Sequence, residues 1–285
     1  FRDTAPVTEP LAVVILDEAH RIRSVSTSRF TPASARTGKT QMEDILDSTR
    51  VSVFFIDDLQ VVRPGETGST DAIREAAAKR NLEVREFALE AQFRSNGSDS
   101  FIRWIDNTLE LDRTPQVLWP MDDDFDFRIV GSVGELERLI RGRAATGSTA
   151  RLVAGFCWPW SDPDEAGELV PDVRVGEWSM PWNAKSDARK LGPGIPKSDF
   201  WASAKEGIDQ VGCVYTAQGF EFDYVGVIFG PDLVYRPMNG GWVGQRDQSR
   251  DRVVRSGVTE AEFTRYVKSG YRGLLTRGSR GCYFT

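Results

Sequence analysis

The sequence has few residues suited to disulfide or zinc chemistry. Its three cysteines, Cys157, Cys213 and Cys282, form no CxxC pair, and its one histidine is His20. A disulfide framework and a Cys/His zinc site are therefore both excluded. No apolar run approaches the roughly 18 residues of a membrane span, and no basic-then-apolar leader opens the chain. We therefore expect no membrane association and a cytoplasmic location.

The sequence also lacks a basic excess. Over 285 residues, 36 Lys and Arg stand against 42 Asp and Glu, which gives a formal net charge of −6. This acidity argues against a protein that coats nucleic acid through bulk charge, although it does not exclude a local basic groove. Hydrophobic residues at 40% and charged residues at 27% are typical of a soluble globular protein, and the length suggests about two domains.

Two apolar runs without polar alternation lie in the first third of the chain, Leu11–Leu16 and Val51–Ile56. Such runs are typical of strands that are buried on both faces of a parallel sheet. Helical patterns over 41–49 and 70–80 lie between and after them. The alternation of strand and helix predicts an α/β fold with a parallel sheet.

An acidic pair follows each run, Asp17-Glu18 after the first and Asp57-Asp58 after the second. Ligands of parallel sheets bind at the carboxyl ends of strands, where both pairs fall. Asp17-Glu18 has the form of a Walker B element, in which the Asp serves Mg²⁺ and the Glu polarises the attacking water; a simple polar strand exit is the alternative. Gln60 could sense a γ-phosphate or orient water, or be an ordinary turn residue.

The rest of the chain continues the α/β pattern. Strands are predicted at Phe127–Val130, Leu152–Phe156, Val211–Tyr215 and Tyr224–Phe229, and helices over 98–109, 135–143 and 260–272. An irregular insertion at about 158–201 contains five Trp residues, which could stack bases but which we expect to pack in a core, because no basic run accompanies them. A Gly- and Arg-rich segment, Pro237–Val254, is predicted to be a mobile loop.

Gly38-Lys39-Thr40 has the form of the end of a phosphate-binding loop. The full pattern, G-x-x-x-x-G-K-[ST], requires Gly at position 33, where this chain has Ala33. No strand precedes the segment, and it follows the Walker B-like strand instead of preceding it. We interpret it as an ordinary junction between a loop and a helix.

Four more candidate residues lie in loops. Arg94 precedes a helix and could pair with a phosphate, with surface solvation as the alternative. Gly219 would allow a ligand close to the backbone, and Glu221 could accept a hydrogen bond from a ribose hydroxyl, unless the segment is only a tight turn. Arg277 could act as a finger on a γ-phosphate or be a surface Arg.

His20 has no partner His or Cys nearby, so we expect a structural or coupling role.

The order of these signals resembles that of superfamily 1 helicases. The chain contains segments matching motifs II, III, IV, V and VI in that order: LDEAH, FFIDDLQ, LEAQFRSNG, TAQGFEFD and YRGLLTRG. More closely, it resembles the Schlafen group 3-like DNA/RNA helicase domain family. The marks of that family are DEAHR, VFFIDDLQ with RPGE just after it, QFRSNGSDSFIRWIDNTL, ARLVAGFCWPWS, TAQGFEFDYVGVIFGPDL and YRGLLTRGSRGCYF. The resemblance covers nearly the whole chain, from Leu11 to its end.

This resemblance implies RecA-like P-loop NTPase lobes with parallel sheets, and ATP and Mg²⁺ as cofactors in a cleft between the lobes. It implies that Asp17 serves Mg²⁺, that Glu18 is the catalytic base and that Gln60 couples nucleotide state to motion. The expected activity is that of an ATP-dependent helicase or translocase on single-stranded or partly duplex DNA or RNA.

In the second lobe the resemblance implies that Arg94 and Arg277 reach the γ-phosphate. It also implies that Glu221 holds the ribose beside Gly219. The alternative from a different functional class is a nucleotide-responsive scaffold that binds nucleic acid, or regulates, without unwinding it.

The chain departs from the family pattern at motif I, because no phosphate-binding loop and none of the strands expected before motif II are present. We therefore expect residues 1–86 to be the C-terminal portion of the first lobe and 87–285 to be a complete second lobe. Hydrolysis of ATP without the loop and its Lys should be very weak. A degenerate relative is one explanation. The start at Phe1 favours the other, a longer protein whose upstream domain carries the loop.

Overall fold

The computed structural model describes residues 9–27, 31–33, 36–88, 99–119 and 125–285. The chain divides into two compact units, Phe1–Ala88 (unit 1) and Leu89–Thr285 (unit 2). Both units combine helices with parallel strands, so the predicted α/β class is confirmed. Within the described ranges, no helix has the length and apolar character that crossing a membrane would need.

Unit 1 is built on two parallel strands, β1 (Leu11–Leu16) and β2 (Thr49–Phe54), with Leu16 opposite Phe54. Two helices accompany them, α1 (Gln41–Asp47) and α2 (Thr70–Ala78). Helix α1 begins where it does because the Thr40 side chain accepts from the backbone N–H of Glu43, whose carboxylate in turn accepts from the Thr40 N–H. This reciprocal cap satisfies two of the four N–H groups that a helix start leaves unpaired.

The two strands of unit 1 are covered on one face only, and the side chains of that face are half-buried. Their inner face packs against a small core that includes Met42 and Ile45 of α1. Alternate residues on the outer face are exposed, and Ile15 reaches 67% exposure. The outer-face residues are Leu11, Val13, Ile15, Val51, Val53 and Phe55. The prediction that both faces are buried is therefore wrong, because a continuous apolar run shows that both faces are apolar and not that both are covered.

Unit 2 is built on a five-stranded parallel sheet. Its strands are β3 (Asp126–Ile129), β4 (Ala150–Ala154), β7 (Val211–Cys213), β8 (Phe222–Ile228) and β11 (Gly278–Phe284). They lie in the order β3-β11-β8-β4-β7, with every neighbouring pair parallel. The accompanying helices are α3 (Asp99–Thr108), α4 (Val133–Ala145), α5 (Val214–Ala217), α6 (Arg252–Arg255) and α7 (Glu260–Leu275).

Successive residues of the central strands point to opposite faces of the sheet, and each face carries its own core. Helix α4 packs on one face, where Leu136 and Ile140 contact the same cluster as Leu152. Helices α3 and α7 pack on the other face, where Phe101 and Phe263 belong to one cluster with the central strands. A parallel sheet between two helical layers is the architecture of a RecA-like lobe, so the predicted fold class holds for unit 2.

The Trp-rich insertion is a packed structure. It includes the hairpin of β5 (Val173–Val175) and β6 (Trp178–Met180). All five indole N–H groups donate hydrogen bonds. The pairs are Trp158 to the Arg174 carbonyl, Trp160 to the Asn183 carbonyl, Trp178 to the Glu137 carboxylate, Trp182 to the Pro159 carbonyl and Trp201 to the Gln210 carbonyl. The prediction of core packing is confirmed, since a base-stacking platform needs exposed rings and Trp182 and Trp201 are fully buried.

The segment predicted as a mobile loop contains regular secondary structure. Strand β9 (Leu233–Arg236) pairs antiparallel with β10 (Gly241–Gly244), and helix α6 follows within the same stretch. The glycines of this segment suggested a loop, but Gly241 is the first residue of β10 and lies against the Glu110 side chain. A Cβ built at Gly241 would lie 2.7 Å from Oε1 of Glu110.

Candidate functional site

The acidic residues of unit 1 lie at the carboxyl ends of β1 and β2. Two hydrogen bonds continue the pairing beyond the strands: the Phe55 N–H donates to the Leu16 carbonyl at 2.8 Å, and the Ala19 N–H donates to the Phe55 carbonyl at 2.8 Å. The two chain segments therefore leave the sheet side by side. Asp17 and Glu18 thus share one edge of the sheet with Asp57.

Glu18 has an uncommon backbone conformation. Its φ of 52° and ψ of 42° are left-handed, and its N–H donates to Oδ1 of Asp17 at 2.9 Å. This conformation turns the chain from β1 into a 3₁₀ turn at Ala19–Arg21. Few residues other than glycine adopt it, and such residues cluster at functional sites.

The Glu18 carboxylate lies against the basic residues of its own turn. His20 is 1% exposed, and its Nε2 is 3.1 Å from Oε2 of Glu18, while Nε of Arg21 is 3.7 Å from the same oxygen. The turn sits close to another backbone segment, because a Cβ at Gly68 would lie 1.8 Å from the Ala19 carbonyl oxygen. His20 thus lies beside the Glu18 carboxylate; its structural or coupling role stays a prediction.

Gln60 is held by Asp57. The Asp57 carboxylate accepts from the Leu59 N–H through Oδ1 and from Nε2 of Gln60 through Oδ2, both at 2.9 Å. These bonds cap a 3₁₀ turn at Asp58–Gln60 and leave Gln60 only 9% exposed. Asp57 was part of an acidic pair in the sequence but received no separate role there. The structure shows that its carboxylate accepts a hydrogen bond from the Gln60 amide.

The carboxylates at this edge are too few to hold Mg²⁺ by themselves, but they are enough for Mg²⁺ that is already bound to a nucleotide. Among the described residues there is no group of three or more His, Cys, Asp or Glu side chains able to hold a metal ion. Mg²⁺ that arrives on a nucleotide is commonly bound by one or two carboxylates, with phosphates and waters completing its shell. Asp17, which is exposed at the strand end, is suited to that role.

The Gly38-Lys39-Thr40 segment is a loop-to-helix junction, as predicted. Thr40 caps α1, and Nζ of Lys39 lies 2.7 Å from Oδ2 of Asp47. Hydrogen bonds from Arg80 and Lys39 lower the pKa of Asp47 to about 2. The Lys39 ammonium is therefore paired with a carboxylate of α1, the helix that follows it.

The candidate residues of unit 2 lie at the amino ends of β8 and β11, which are neighbours. Gly219 and Glu221 precede β8, Arg277 precedes β11, and the Phe222 N–H donates to the Arg277 carbonyl at 2.9 Å. Gly219 has a φ of 89°, and a Cβ there would meet no atom within 4 Å, so its backbone is open to a ligand. Glu221 is exposed.

Arg277 is the buried cation of this edge. It is 3% exposed, and its guanidinium donates to the Gly273 carbonyl at 2.8 Å and to the Phe220 carbonyl at 3.5 Å. An Arg remains charged at any physiological pH, so this site presents a fixed positive charge beside the loop that carries Glu221. Arg94, the other predicted Arg of the site, lies outside the described residues.

Sequence reasoning missed an ion pair that joins two helices of unit 2. Nε of Arg272 in α7 lies 2.5 Å from Oδ1 of Asp106 in α3, and Nη2 lies 3.3 Å from Oδ2. A second pair joins Lys268 to Glu110 at 3.0 Å. Arg272 and Asp106 both stand inside segments that carry the family resemblance, but their separation by 166 positions gave no local signal.

Comparison with known proteins gives two findings. The sequence model of the family described as Schlafen group 3, DNA/RNA helicase domain, matches residues 4–285. The chain is also similar to the uncharacterized protein YPL245W of Saccharomyces cerevisiae. The two are 25% identical over an alignment of 297 positions, which covers 95% of this chain. The chain spans 61% of the length of that curated relative.

Proposed function

Because the chain belongs to the Schlafen group 3 DNA/RNA helicase domain family, we propose that it works in an ATP- and Mg²⁺-dependent helicase or translocase. Its substrate would be single-stranded or partly duplex nucleic acid. The observation that carries the proposal is the edge of unit 1. There Asp17 and Glu18 follow one strand, and Gln60 is oriented beyond the parallel neighbour. Strand ends of this kind are where α/β proteins bind their ligands.

In this proposal unit 1 supplies the hydrolytic groups. Asp17 would hold Mg²⁺, which when bound neutralises charge on the nucleotide phosphates. Glu18 would accept the proton of the attacking water, and His20, 3.1 Å from its carboxylate, would keep that carboxylate in place. Gln60, fixed by Asp57, would orient the water or report the presence of the γ-phosphate.

Unit 2 would supply the groups that respond to the nucleotide. Arg277 would move from the Phe220 and Gly273 carbonyls to the γ-phosphate, an exchange favoured by the stronger bond between a guanidinium and a phosphate. Glu221 would accept from the ribose, and Gly219 would let the nucleotide approach the backbone. Arg94 would be a second phosphate contact. Loss of the γ-phosphate would release these contacts and move the bound strand.

A second candidate is a scaffold that responds to a nucleotide without unwinding. It is favoured by the engagement of Lys39 with Asp47, which ties the Gly-Lys-Thr segment of this sequence to a carboxylate of α1. A chain without the phosphate cradle would bind ATP weakly and hydrolyse it slowly. Such a protein could still change its affinity for nucleic acid with nucleotide state.

The test is Glu18→Gln in the full-length protein, with Glu75→Gln, an exposed glutamate of α2, as the matched control. We expect nucleic-acid-stimulated ATPase to fall by about 10²–10⁴-fold in Glu18→Gln, the usual contribution of a general base, and to be unchanged in the control. Unchanged ATPase in Glu18→Gln would refute the assignment. Wild-type ATPase without strand displacement would favour the scaffold over the helicase.

A further inference from the structure

Three arginines surround two tyrosines on the α4 face of the unit 2 sheet. This Arg–Tyr cluster comprises Arg128, Arg143, Arg280, Tyr224 and Tyr283. The Cζ atoms of Arg143 and Arg280 lie 4.3 and 5.6 Å from the centroid of the Tyr224 ring. Cζ of Arg128 lies 5.2 Å from the centroid of Tyr283, and the two ring centroids are 5.9 Å apart. The three guanidiniums are thus gathered around one pair of rings.

The cluster carries an excess of positive charge. Among the described residues, one carboxylate accepts hydrogen bonds from the arginines of the cluster, that of Asp126. Its Oδ2 lies 2.5 Å from Nη2 of Arg143, and its Oδ1 lies 2.7 Å from Nε of Arg128. Burial raises the pKa of Asp126, but hydrogen bonds from Arg128 and Tyr283 outweigh burial and hold it below its usual value, so the group is ionised. Burial raises the pKa of Tyr283 to about 12, so the phenol is neutral. Among the described residues of the cluster and its carboxylate partner, three guanidiniums and one carboxylate leave two positive charges.

Arg280 has no anionic partner in the described part of the chain. It is exposed, and its guanidinium makes no ion pair or hydrogen bond with any residue there. Arg128 and Arg143, in contrast, both contact Asp126. A guanidinium offers five N–H donors in a planar fork that matches a phosphate, so Arg280 is equipped for an anion that the described chain does not supply.

The geometry of the cluster favours phosphates over bases as its ligand. Tyr224 and Tyr283 are 6% and 0% exposed, so their rings lie beneath the arginines and cannot stack on a base. The groups that reach solvent are guanidiniums. A surface of this kind reads the backbone and not the sequence of a nucleic acid.

Two residues of the cluster are also close in sequence to residues of the candidate nucleotide site. Arg280 stands in β11 three positions after Arg277, and Tyr224 stands in β8 three positions after Glu221. The same two strands therefore carry residues of both groups.

We propose that the Arg–Tyr cluster binds backbone phosphates of the single-stranded nucleic acid on which the protein acts. This inference rests on the proposed function and assigns part of its nucleic-acid contact surface. The contact is independent of base sequence. A nucleotide would present the same phosphate chemistry, so the experiment distinguishes the two sources.

The experiment uses the full-length protein, a fluorescent oligothymidine and a series of salt concentrations. Arg280→Gln is compared with Arg265→Gln, an exposed arginine of α7 on the opposite face of the sheet. We expect Arg280→Gln to weaken binding and to lower the slope of log Kobs against log salt by about 0.7, the value for one phosphate contact to a single strand. Arg280→Lys, which keeps the charge, should retain most of the slope.

Each other outcome refutes a stated part of the reasoning. If the wild type binds the oligonucleotide and Arg280→Gln changes the slope no more than Arg265→Gln, the cluster is not a phosphate contact. If Arg280→Gln weakens the binding of ATP but leaves the slope unchanged, the phosphate belongs to the nucleotide and the assignment to nucleic acid fails. If the wild type binds no oligonucleotide in any nucleotide state, the proposed function fails with it.

Discussion

The ion pair between Asp106 and Arg272 allows a quantitative prediction of stability. The two side chains are 8% and 9% exposed, and the guanidinium contacts both carboxylate oxygens. Asp106→Ala would leave the Arg272 charge buried without this partner. Removal of one member of a buried ion pair costs about 3–5 kcal/mol. In a domain of this size class, where 1 kcal/mol shifts the melting temperature by about 2–4 °C, the expected drop is roughly 6–20 °C.

The assay is thermal unfolding, followed by near-UV circular dichroism, with Asp112→Ala as the control. Asp112 is an exposed carboxylate shortly after α3, so its removal should change stability by no more than about 0.5 kcal/mol. A double variant, Asp106→Leu with Arg272→Met, removes both charges and should recover most of the lost stability. Equal melting temperatures for Asp106→Ala and Asp112→Ala would refute the reasoning. A double variant no more stable than Asp106→Ala would show that the loss comes from packing and not from a buried charge.

Two further predictions concern a close backbone contact and a buried acid. Gly68→Ala should lower the melting temperature, at a cost of about 1–3 kcal/mol, because its Cβ would overlap the Ala19 carbonyl oxygen. Gly134→Ala in helix α4 is the control: a Cβ there meets no atom within 4 Å, so this variant should be stabilised by about 0.5–1 kcal/mol. Melting-temperature shifts of the same sign in the two variants would contradict this. Burial raises the pKa of Asp232, which accepts from the Tyr271 hydroxyl at 2.7 Å, so the folded state keeps a proton that the unfolded chain loses at the ordinary carboxyl pKa. The free energy of unfolding should therefore fall as pH rises from the ordinary carboxyl pKa through the raised one. Asp232→Asn should reduce that fall in urea titrations carried out at a series of pH values above the ordinary carboxyl pKa; parallel curves for both proteins would count against it.

Local pattern was sufficient for most elements of the fold. Strand β1 has the predicted bounds because its apolar run ends at a polar turn. The run Val211–Tyr215 was predicted as one strand, but β7 ends at Cys213 and α5 begins at Val214. Residues of α5 share a core cluster with α7, a distant helix that no local pattern reveals.

The candidate site divides in the same way. Asp17 and Glu18 could be predicted as site residues from the sequence because an acidic pair directly follows an apolar strand; their roles stay predictions. The role of Gly68 depends on a contact with Ala19, and the Arg–Tyr cluster joins one helix to three strands. Contacts of this kind arise only when distant segments pack, so the residues that position a site are harder to predict than those that carry its chemistry.

The exposed outer face of β1 and β2 has a consequence for work with this chain in solution. Six apolar side chains lie on one side of two parallel strands, with Ile15 67% exposed. Such a surface favours association with other molecules, because burying it removes apolar area from water. The unpaired edge of a strand can also pair with a strand of another molecule. Self-association of this chain through this face is therefore expected to increase with protein concentration. Assays at low protein concentration will therefore report the chemistry of the chain most faithfully.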